Sequence, residues 1–303
     1  MRFTIFQDSH IGRRRVNQDR LAYSYGRDVL LLVIADGMGG HARGEIAAEI
    51  TINTITKRFQ QEARGILRKP KEFIEAAIHA AHRAIIAFAD ENDMLECPRT
   101  TVVVCVIQNG RAWWAHSGDS RLYVLREGQL ATKTHDHSRV QQLLDSGAIT
   151  PEMAAVHPDR NKIYNCLGGV LPPIVTHSRE WPLRVGDSII LSTDGFWAHV
   201  DANQIAASLQ HQDMLTLLPS LLIEAEENAG ADADNLSVIG LTWVDQEEEV
   251  HSPTVTSTEP VRGFTTSSVN TTQQFAIAPE EVTDEEIERA IAEIQNAIKR
   301  VPR

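Results

Sequence analysis

The hydrophobic positions of this chain form short continuous apolar runs, separated by longer stretches of helical periodicity. Runs rich in β-branched or aromatic residues predict β-strands, some of them buried on both faces. They are V-L-L-L-V-I-A-D at 29–36, T-T-V-V-V-C-V-I at 100–107, R-A-W-W-A-H-S at 111–117, D-S-I-I-L-S-T-D at 187–194 and L-S-V-I-G-L-T-W at 236–243. Helical patterns occupy about 43–59, 70–91, 139–146, 201–209 and 213–228. Because strands come in consecutive groups and helices in pairs, the order favours antiparallel sheets covered by helices over a parallel βαβ sheet.

The dense apolar pattern covers residues 1–244 and then stops. Residues 245–281 are acidic and rich in Ser and Thr, and they carry too little apolar surface to offset the entropy of ordering, so we expect a disordered linker. Residues 282–303 predict an amphipathic C-terminal helix, which opens with a capping box formed by Thr283 and Glu286. Its apolar seam consists of Ile287, Ile291, Ile294, Ile298 and Val301. We expect this helix to dock on a partner or to self-associate.

Composition narrows the classes of partner. The formal net charge of −12 argues against nucleic acid as a ligand, since binding to phosphates requires a basic surface. No apolar run approaches the ~20 residues that span a bilayer, which predicts no membrane contact. The three cysteines are too few and too widely spaced for a disulfide framework or a structural zinc site. We therefore expect a cytoplasmic protein with reduced, mostly buried thiols.

Four aspartates stand in separate motifs that end or adjoin strand-like runs. They are Asp19 in N-Q-D, Asp36 in A-D-G-M-G-G-H, Asp194 in S-T-D-G and Asp234 in A-D-N. Any single motif could be a simple turn, because Asp and Gly both favour turns. Four together predict a site for a hard divalent cation such as Mg²⁺ or Mn²⁺, which takes oxygen ligands.

Other motifs add candidate phosphate chemistry. The glycines that follow Asp36 could instead form a nucleotide-binding loop, but neither G-x-x-x-x-G-K-[ST] nor G-x-G-x-x-G with a later acid is present. The arginines at 13–15 lie just before Asp19, and a guanidinium matches two phosphate oxygens. S-G-D-S-R at 117–121 reads either as a hairpin turn or as a turn that presents Asp119 to a cation.

The ordered set of motifs resembles a protein family. R-x-x-N-Q-D, A-D-G-M-G-G-H-x-x-G-E, T-T, G-D-S-R, D-H-S, S-T-D-G-F-W and D-N-L-S together are similar to the bacterial metal-dependent, type 2C serine/threonine protein phosphatases, over about residues 3–243. The resemblance implies an α+β fold: a four-layer α/β/β/α sandwich with two central antiparallel sheets flanked by helix pairs. It also implies a binuclear Mn²⁺ or Mg²⁺ centre and assigns residues 1–244 to the catalytic domain.

The resemblance implies a role for each matching position. Asp36 would bridge two metal ions and the Gly37 carbonyl would bind one of them, while Asp19, Asp194 and Asp234 would complete the ligand set. Asp119 would hold a third, weaker ion. Arg14 has the family's spacing from Asp19 for the phosphate-binding arginine, and residues 138–168 would form the mobile flap.

One position is left open by the resemblance. Some members carry a histidine two residues after the bridging aspartate as the presumed general acid, and this chain has Met38 there. His41 follows five residues after Asp36. Either His41 or a metal-bound water would then protonate the leaving oxygen. Arg99 stands where the family usually has glycine.

The implied activity is hydrolysis of phosphoserine and phosphothreonine in proteins by a metal-activated water, without a phosphoenzyme. The partners implied are a phosphorylated protein substrate and a bacterial serine/threonine kinase that the enzyme opposes. Two alternatives stay open at this point. One is a pseudophosphatase that acts only as a regulated binding module, and the other is a small-molecule phosphomonoesterase.

Overall fold

Two antiparallel β-sheets pack face to face, and helices cover the outer face of each. The computed structural model describes residues 1–39 and 43–245 and the backbone of residues 265–269. The strands are β1 Arg2–His10, β2 Asp19–Tyr25, β3 Val29–Met38, β4 Arg99–Thr100, β5 Val102–Gln108, β6 Arg111–Ser117, β7 Arg121–Arg126, β8 Gln129–Lys133, β9 Thr176–His177, β10 Trp181–Pro182, β11 Ser188–Ser192, β12 Leu236–Asp245 and β13 Thr265–Val269. The α-helices are α1 Gly44–Glu62, α2 Pro70–Glu91, α3 Arg139–Asp145, α4 Pro151–Ala155, α5 Asp194–Trp197, α6 Ala202–Ser208 and α7 Met214–Ala229.

The strand order separates the chain into two sheets with different helical covers. One sheet has the order β1-β12-β11-β7-β8, and the other has β10-β6-β5-β3-β2-β13, with β4 on β3 and β9 on β6. Helices α1 and α2 pack on the second sheet, and α5, α6 and α7 pack on the first. A third apolar cluster fills the space between the sheets. The predicted α+β, four-layer α/β/β/α sandwich is therefore confirmed.

The central strands are apolar throughout because both of their faces are buried. In β3, Leu31 and Val33 point towards α1 and α2, while Leu30 and Leu32 point towards the opposing sheet. Successive side chains of a strand face opposite sides, so a strand between two apolar layers needs a continuous apolar run. The side chains of β5 alternate in the same way, which explains why its continuous apolar run predicted a strand.

Edge strands carry weaker patterns, and the sequence did not predict them. β1 and β8 are the outer strands of the first sheet. Most side chains of β1 are partly buried, and those of β8 alternate between partial burial and exposure. The five helices predicted between residues 43 and 228 are present with small shifts at their ends. The pattern at 43–59, for example, extends to Glu62 as α1.

Part of the predicted linker has a different conformation. Within 245–281, Thr265–Val269 forms β13 and pairs antiparallel with β2, with Thr265 opposite Tyr25 and Val269 opposite Leu21. This segment therefore differs from the disordered linker that the sequence predicted. Its T-T-S-S-V sequence contains β-branched residues, and it meets the backbone donors and acceptors of the open β2 edge. His41 and the predicted helix at 282–303 lie outside the described residues.

A surface ion pair fastens α7 to β1. The Nδ1 atom of His10 lies 2.9 Å from Oε2 of Glu226, and its Nε2 atom lies 3.6 Å from Oδ2 of Asp8. The hydrogen bond with Asp8, followed by that with Glu226, raises the pKa of His10 to about 9.

Among the described residues, none of the helices combines the length and apolar character that crossing a membrane requires.

Candidate metal centre and phosphate cleft

Asp19 and Asp36 face each other across two neighbouring strands. Asp19 is the first residue of β2 and Asp36 lies near the end of β3, and the antiparallel register pairs them directly. Side chains directly opposite on an antiparallel pair lie within about 5 Å at Cβ. The hydrophobic pattern of the two strands thus brings two carboxylates together at one edge of the sheet.

Asp194 and Asp234 come to the same place from the other sheet. Asp194 opens α5 two residues after β11, and Asp234 lies two residues before β12, which pairs with β11. Thr193 joins the two sheets here, because its Oγ1 donates to Oδ2 of Asp19 at 2.8 Å and accepts from the backbone N–H of Ser237 at 3.0 Å. The four predicted carboxylates therefore meet at one end of the sandwich.

The electrostatics of this cluster favour a cation. Burial raises the pKa of Asp19 to about 7 and the pKa of Asp194 to about 6, and neighbouring carboxylates add to both shifts. The pKa of Asp36 is raised well above its usual range, first by desolvation and then by Asp19, Asp194 and other acids. A divalent cation reverses this penalty because it stabilises the ionised form.

The donor chemistry fits a hard cation such as Mn²⁺ or Mg²⁺. All four side chains supply carboxylate oxygens, the donor type that hard cations prefer. In the described parts of the chain, no three His, Cys, Asp or Glu side chains already converge at coordination distance. The fit therefore rests on the oxygen donors and on the electrostatic penalty that the carboxylates share.

The backbone around Gly37 leaves no space for a side chain. A Cβ on Gly37 would lie 2.2 Å from the carbonyl oxygen of Gly44 and 2.7 Å from that of Gln18. The same approach excludes a side chain on Gly44, the first residue of α1. The glycine of H-x-x-G-E in the motif is thus explained by backbone contact. The Gly37 carbonyl as a metal ligand stays a prediction.

Arg14 lies on the loop between β1 and β2, beside the carboxylates. Its Nη2 donates to Oδ2 of Asp234 at 2.6 Å, and this bond is the largest cause that raises the Arg14 pKa. The side chain is 56% exposed, so it can turn towards a ligand in the adjacent cleft. Asn235 holds the loop, since its Nδ2 donates to the carbonyls of Ile11 and Val16.

Two asparagines that the motifs did not single out also shape this site. Asn235 accepts the backbone N–H of Gln18 at its Oδ1, in addition to its bonds to the arginine loop. Asn17 accepts the N–H of Asp19 and donates to Ser9. Both residues belong to the motifs N-Q-D and A-D-N, so a buried asparagine beside a ligand aspartate was the available signal.

Asp119 occupies a turn between β6 and β7, next to the four carboxylates. Desolvation and the charge of Asp194 raise the pKa of Asp119 well above its usual range. The indole N–H of Trp197 donates to the Asp119 carbonyl at 3.0 Å. Arg121 stacks on Trp197 with its guanidinium carbon 3.4 Å from the ring centroid, and it forms two hydrogen bonds to Asp136 at 2.9 and 2.8 Å.

A cleft of about 930 Å³ opens beside the carboxylates. Its lining includes Arg14, Asp194 and Asp234 together with residues of the 138–168 segment, among them Arg160. Arg160 is a second exposed guanidinium facing this cleft that the sequence did not single out. The cleft thus combines carboxylates that can hold cations with arginines that can hold a phosphate.

Residues 6–233 match the protein phosphatase 2C family. The chain belongs to this family. A protein phosphatase 2C relative from Mycobacterium tuberculosis, the serine/threonine protein phosphatase PstP, is 35% identical over 237 residues, or 78% of this chain and 44% of that protein. The chain thus matches less than half the length of this relative. The protein phosphatase PhpP of Streptococcus pneumoniae is 27% identical over 79% of this chain and 97% of its own length.

Solved structures of the family share the fold. A serine/threonine phosphatase from S. agalactiae matches with a TM-score of 0.72 and 29% identity, covering 80% of this chain and 100% of that one. The catalytic domain of PstP in complex with 2 manganese ions matches with a TM-score of 0.66 and 32% identity, covering 80% and 99%. The protein phosphatase 2C resemblance seen in the motifs is confirmed.

Proposed function

We propose that this chain is a metal-dependent serine/threonine protein phosphatase that hydrolyses phosphoserine and phosphothreonine. The observation that carries the proposal is the meeting of Asp19, Asp36, Asp194 and Asp234 at the head of a cleft that also holds Arg14. Carboxylates alone repel a phosphate dianion, so a site that combines both needs divalent cations between them.

Each group of residues has its own task in this proposal. Asp36 and Asp19, with Asp194 and Asp234, would hold two ions of Mn²⁺ or Mg²⁺, and Asp119 would hold a weaker third ion. When bound, such cations activate water and neutralise charge on the phosphoryl oxygens during in-line displacement. The carboxylates fix the position of attack, because two β-strands and the start of a helix anchor Asp19, Asp36 and Asp194, and Asp234 lies two residues before β12.

Arg14 orients the phosphate in this proposal. Its guanidinium lies 2.6 Å from Asp234, so it stands beside the place where a metal-bound phosphate would sit. A guanidinium fork can bond two phosphate oxygens at once. Arg160, which also lines the cleft, can contact a second part of the same substrate.

A cysteine nucleophile does not fit this chain. Burial raises the pKa of Cys97, Cys105 and Cys166, whereas a catalytic thiolate needs a lowered pKa. Cys105 is buried between the sheets, and the other two are partly exposed, which differs from the mostly buried thiols that the sequence predicted. Direct attack by water, without a phosphoenzyme, is therefore the mechanism that we propose.

The proposed substrate is a phosphorylated protein rather than a free metabolite. The cleft is open and extends from Arg14 along the 138–168 segment, which suits a peptide that continues beyond its phosphate. We further propose that the enzyme acts in the cytoplasm and opposes a serine/threonine kinase. The C-terminal helix would provide a docking contact for a partner or for a second copy.

The test uses para-nitrophenyl phosphate, a phosphothreonine peptide and a free nucleoside monophosphate as parallel substrates. We expect the first two to turn over with Mn²⁺ or Mg²⁺, to stop with EDTA and to recover on adding metal. The variant Asp36→Asn serves as the inactive control. Peptide binding without turnover would instead indicate a pseudophosphatase, and preference for the nucleotide would indicate a small-molecule phosphomonoesterase. Full activity in EDTA would exclude the metal mechanism.

A further inference from the structure

His137 is a buried residue that does not line the cleft. It belongs to the extended D-H-S segment, whose neighbours Asp136 and Ser138 both line the cleft. Successive side chains of an extended segment point to opposite sides, so His137 points into the protein. It is 5% exposed and stacks on His116 with ring centroids 4.7 Å apart.

The hydrogen bonds of His137 fix its tautomer. Its Nδ1 accepts from the backbone N–H of Gly118 at 3.2 Å and lies 2.6 Å from the amide nitrogen of Asn165. The Asn165 amide is oriented by Ile174, because its Oδ1 accepts the Ile174 N–H and its Nδ2 donates to the Ile174 carbonyl. Two donors therefore meet at Nδ1, so Nδ1 carries no proton. The proton sits on Nε2, which donates to Oγ1 of Thr176 at 2.8 Å.

These bonds join two parts of the candidate active site. Gly118 belongs to the turn that carries Asp119, and the His137 backbone N–H also donates to the Gly118 carbonyl at 2.9 Å. Asn165 lies near the end of the 138–168 segment, and the N–H of Tyr164 donates to the His137 carbonyl at 3.0 Å. His137 thus contacts the Asp119 turn through its ring and its backbone N–H, and it contacts the C-terminal end of the flap segment through its ring and its backbone carbonyl.

The turn has few other supports that could replace this one. Trp197 bonds the Asp119 carbonyl, and the hydroxyls of Ser120 and Thr101 lie 2.7 Å apart. Neither of these contacts reaches the Gly118 amide. In addition, Gly118 has a φ of +111°, and a Cβ there would lie 2.6 Å from Thr101. A turn in this conformation needs its amide held by a fixed acceptor.

We propose that His137 is a positioning residue, which holds the Asp119 turn through the Gly118 amide and couples that turn to the flap through Asn165. This proposal rests on the proposed function only for the role of Asp119 as a cation ligand. The hydrogen bonds themselves do not depend on it. Movement of the flap segment would then shift Asp119, and cation binding at Asp119 would in turn restrain the flap.

Two substitutions of His137 distinguish the roles of the two ring nitrogens. In His137→Asn the amide oxygen can take the place of Nδ1 and accept from Gly118 and Asn165. In His137→Gln the longer side chain reaches Thr176 but leaves the Gly118 amide without its acceptor. Loss of a buried acceptor should raise the Mn²⁺ concentration for half-maximal peptide hydrolysis by roughly tenfold in the Gln variant. The Asn variant should stay within about threefold of the parent enzyme.

Three further variants serve as references for the His137 substitutions. Asp119→Ala removes the ligand itself and should reproduce the Gln variant's dependence on Mn²⁺. His211→Gln changes an exposed histidine between α6 and α7 and should change nothing. Asn165→Ala removes the flap contact while keeping the histidine, and it should raise KM for the peptide more than it lowers kcat. It also protects the test if His137→Gln fails to fold.

Two measurements on the full metal-free chain need no turnover. Selective ¹⁵N-histidine labelling should show His137 with a proton on Nε2 alone, assigned by its loss in His137→Asn. Hydrogen exchange of a peptide spanning 116–121 should be faster in the Gln variant than in the Asn variant. A proton on Nδ1, or equal exchange and equal Mn²⁺ dependence in the two variants, would overturn the proposal. Absence of phosphatase activity in the parent chain would refute the proposed function alone.

Discussion

The metal-free protein should become more stable when one of its own ligands is neutralised. Asp19 is 2% exposed, and burial raises its pKa from 3.8 to about 7. The ionised carboxylate is therefore disfavoured in the folded chain without a cation. Asp19→Asn removes that charge and keeps an oxygen that can accept the hydroxyl of Thr193. We expect the variant to lose metal binding but to gain stability in EDTA.

The sign and size follow from proton linkage. Between pH 3.8 and about 7 the folded chain holds more protons at Asp19 than the unfolded chain does. Stability consequently falls as the pH rises through this window, and the loss is complete above it. At about 1.4 kcal/mol per pKa unit, the penalty is about 4 kcal/mol near pH 8 and less than half of that near pH 5. Because neighbouring carboxylates share it, we expect Asp19→Asn to recover about 2–4 kcal/mol near pH 8.

Thermal unfolding in EDTA at both pH values measures this effect. Near pH 8 the variant should melt about 5–10 °C above the parent, and the difference should shrink near pH 5. Saturating Mn²⁺ should invert the order, since only the parent gains binding free energy in the folded state. Asp28→Asn, at an exposed carboxylate, is the control and should shift little. A variant that melts below the parent in EDTA would refute the proposed penalty.

Further substitutions test the surroundings of the centre. Arg14→Ala should raise KM for the phosphopeptide roughly tenfold with a smaller loss in kcat, whereas Arg15→Ala, at an exposed neighbour, should match the parent in steady-state kinetics. Asp136→Ala should lower the free energy of unfolding by about 3–5 kcal/mol in urea, because it leaves Arg121 unpaired at 18% exposure. Restoring stability by also changing Arg121 to Met would support this reason, and a further loss would contradict it. His10→Gln should cost about 1 kcal/mol below pH 6.5 and nothing above about pH 9, since the raised pKa of the partly exposed histidine stabilises only while it is protonated. A pH-independent difference in urea titrations would argue against that ion pair.

The sequence predicted the strands that are buried on both faces, because such burial requires a continuous apolar run. The strands at 29–38 and 102–108 lie between two apolar layers. Their continuous apolar runs therefore predicted both the strands and their burial. β1 lies at a sheet edge with mixed burial, and its polar residues gave no alternating pattern. β13 depends on an open edge elsewhere in the chain, which no local pattern can report.

The sequence predicted the residue types of the candidate site, but it predicted only part of their spatial arrangement. Turn-forming aspartates at strand ends predicted the carboxylate cluster, and the register of Asp19 with Asp36 accounts for it. The pairing of Arg14 with Asp234 joins residues far apart in the chain, so spacing alone could not show it. The inward role of His137 was hidden for the same reason, because a lone histidine in a polar segment has no periodic signal.

The strand β13 extends the folded sheet beyond residue 244, where the apolar pattern of the sequence stops. A protein cut after residue 244, where the apolar pattern stops, would lack Thr265–Val269 and would expose the backbone of β2 along its outer edge. Open edges of this kind are templates for pairing with another chain. Since β2 begins with Asp19, the strand that would attract such pairing also carries a ligand of the metal centre. Solubility and metal binding are therefore linked through one strand, and a shortened protein could lose both together.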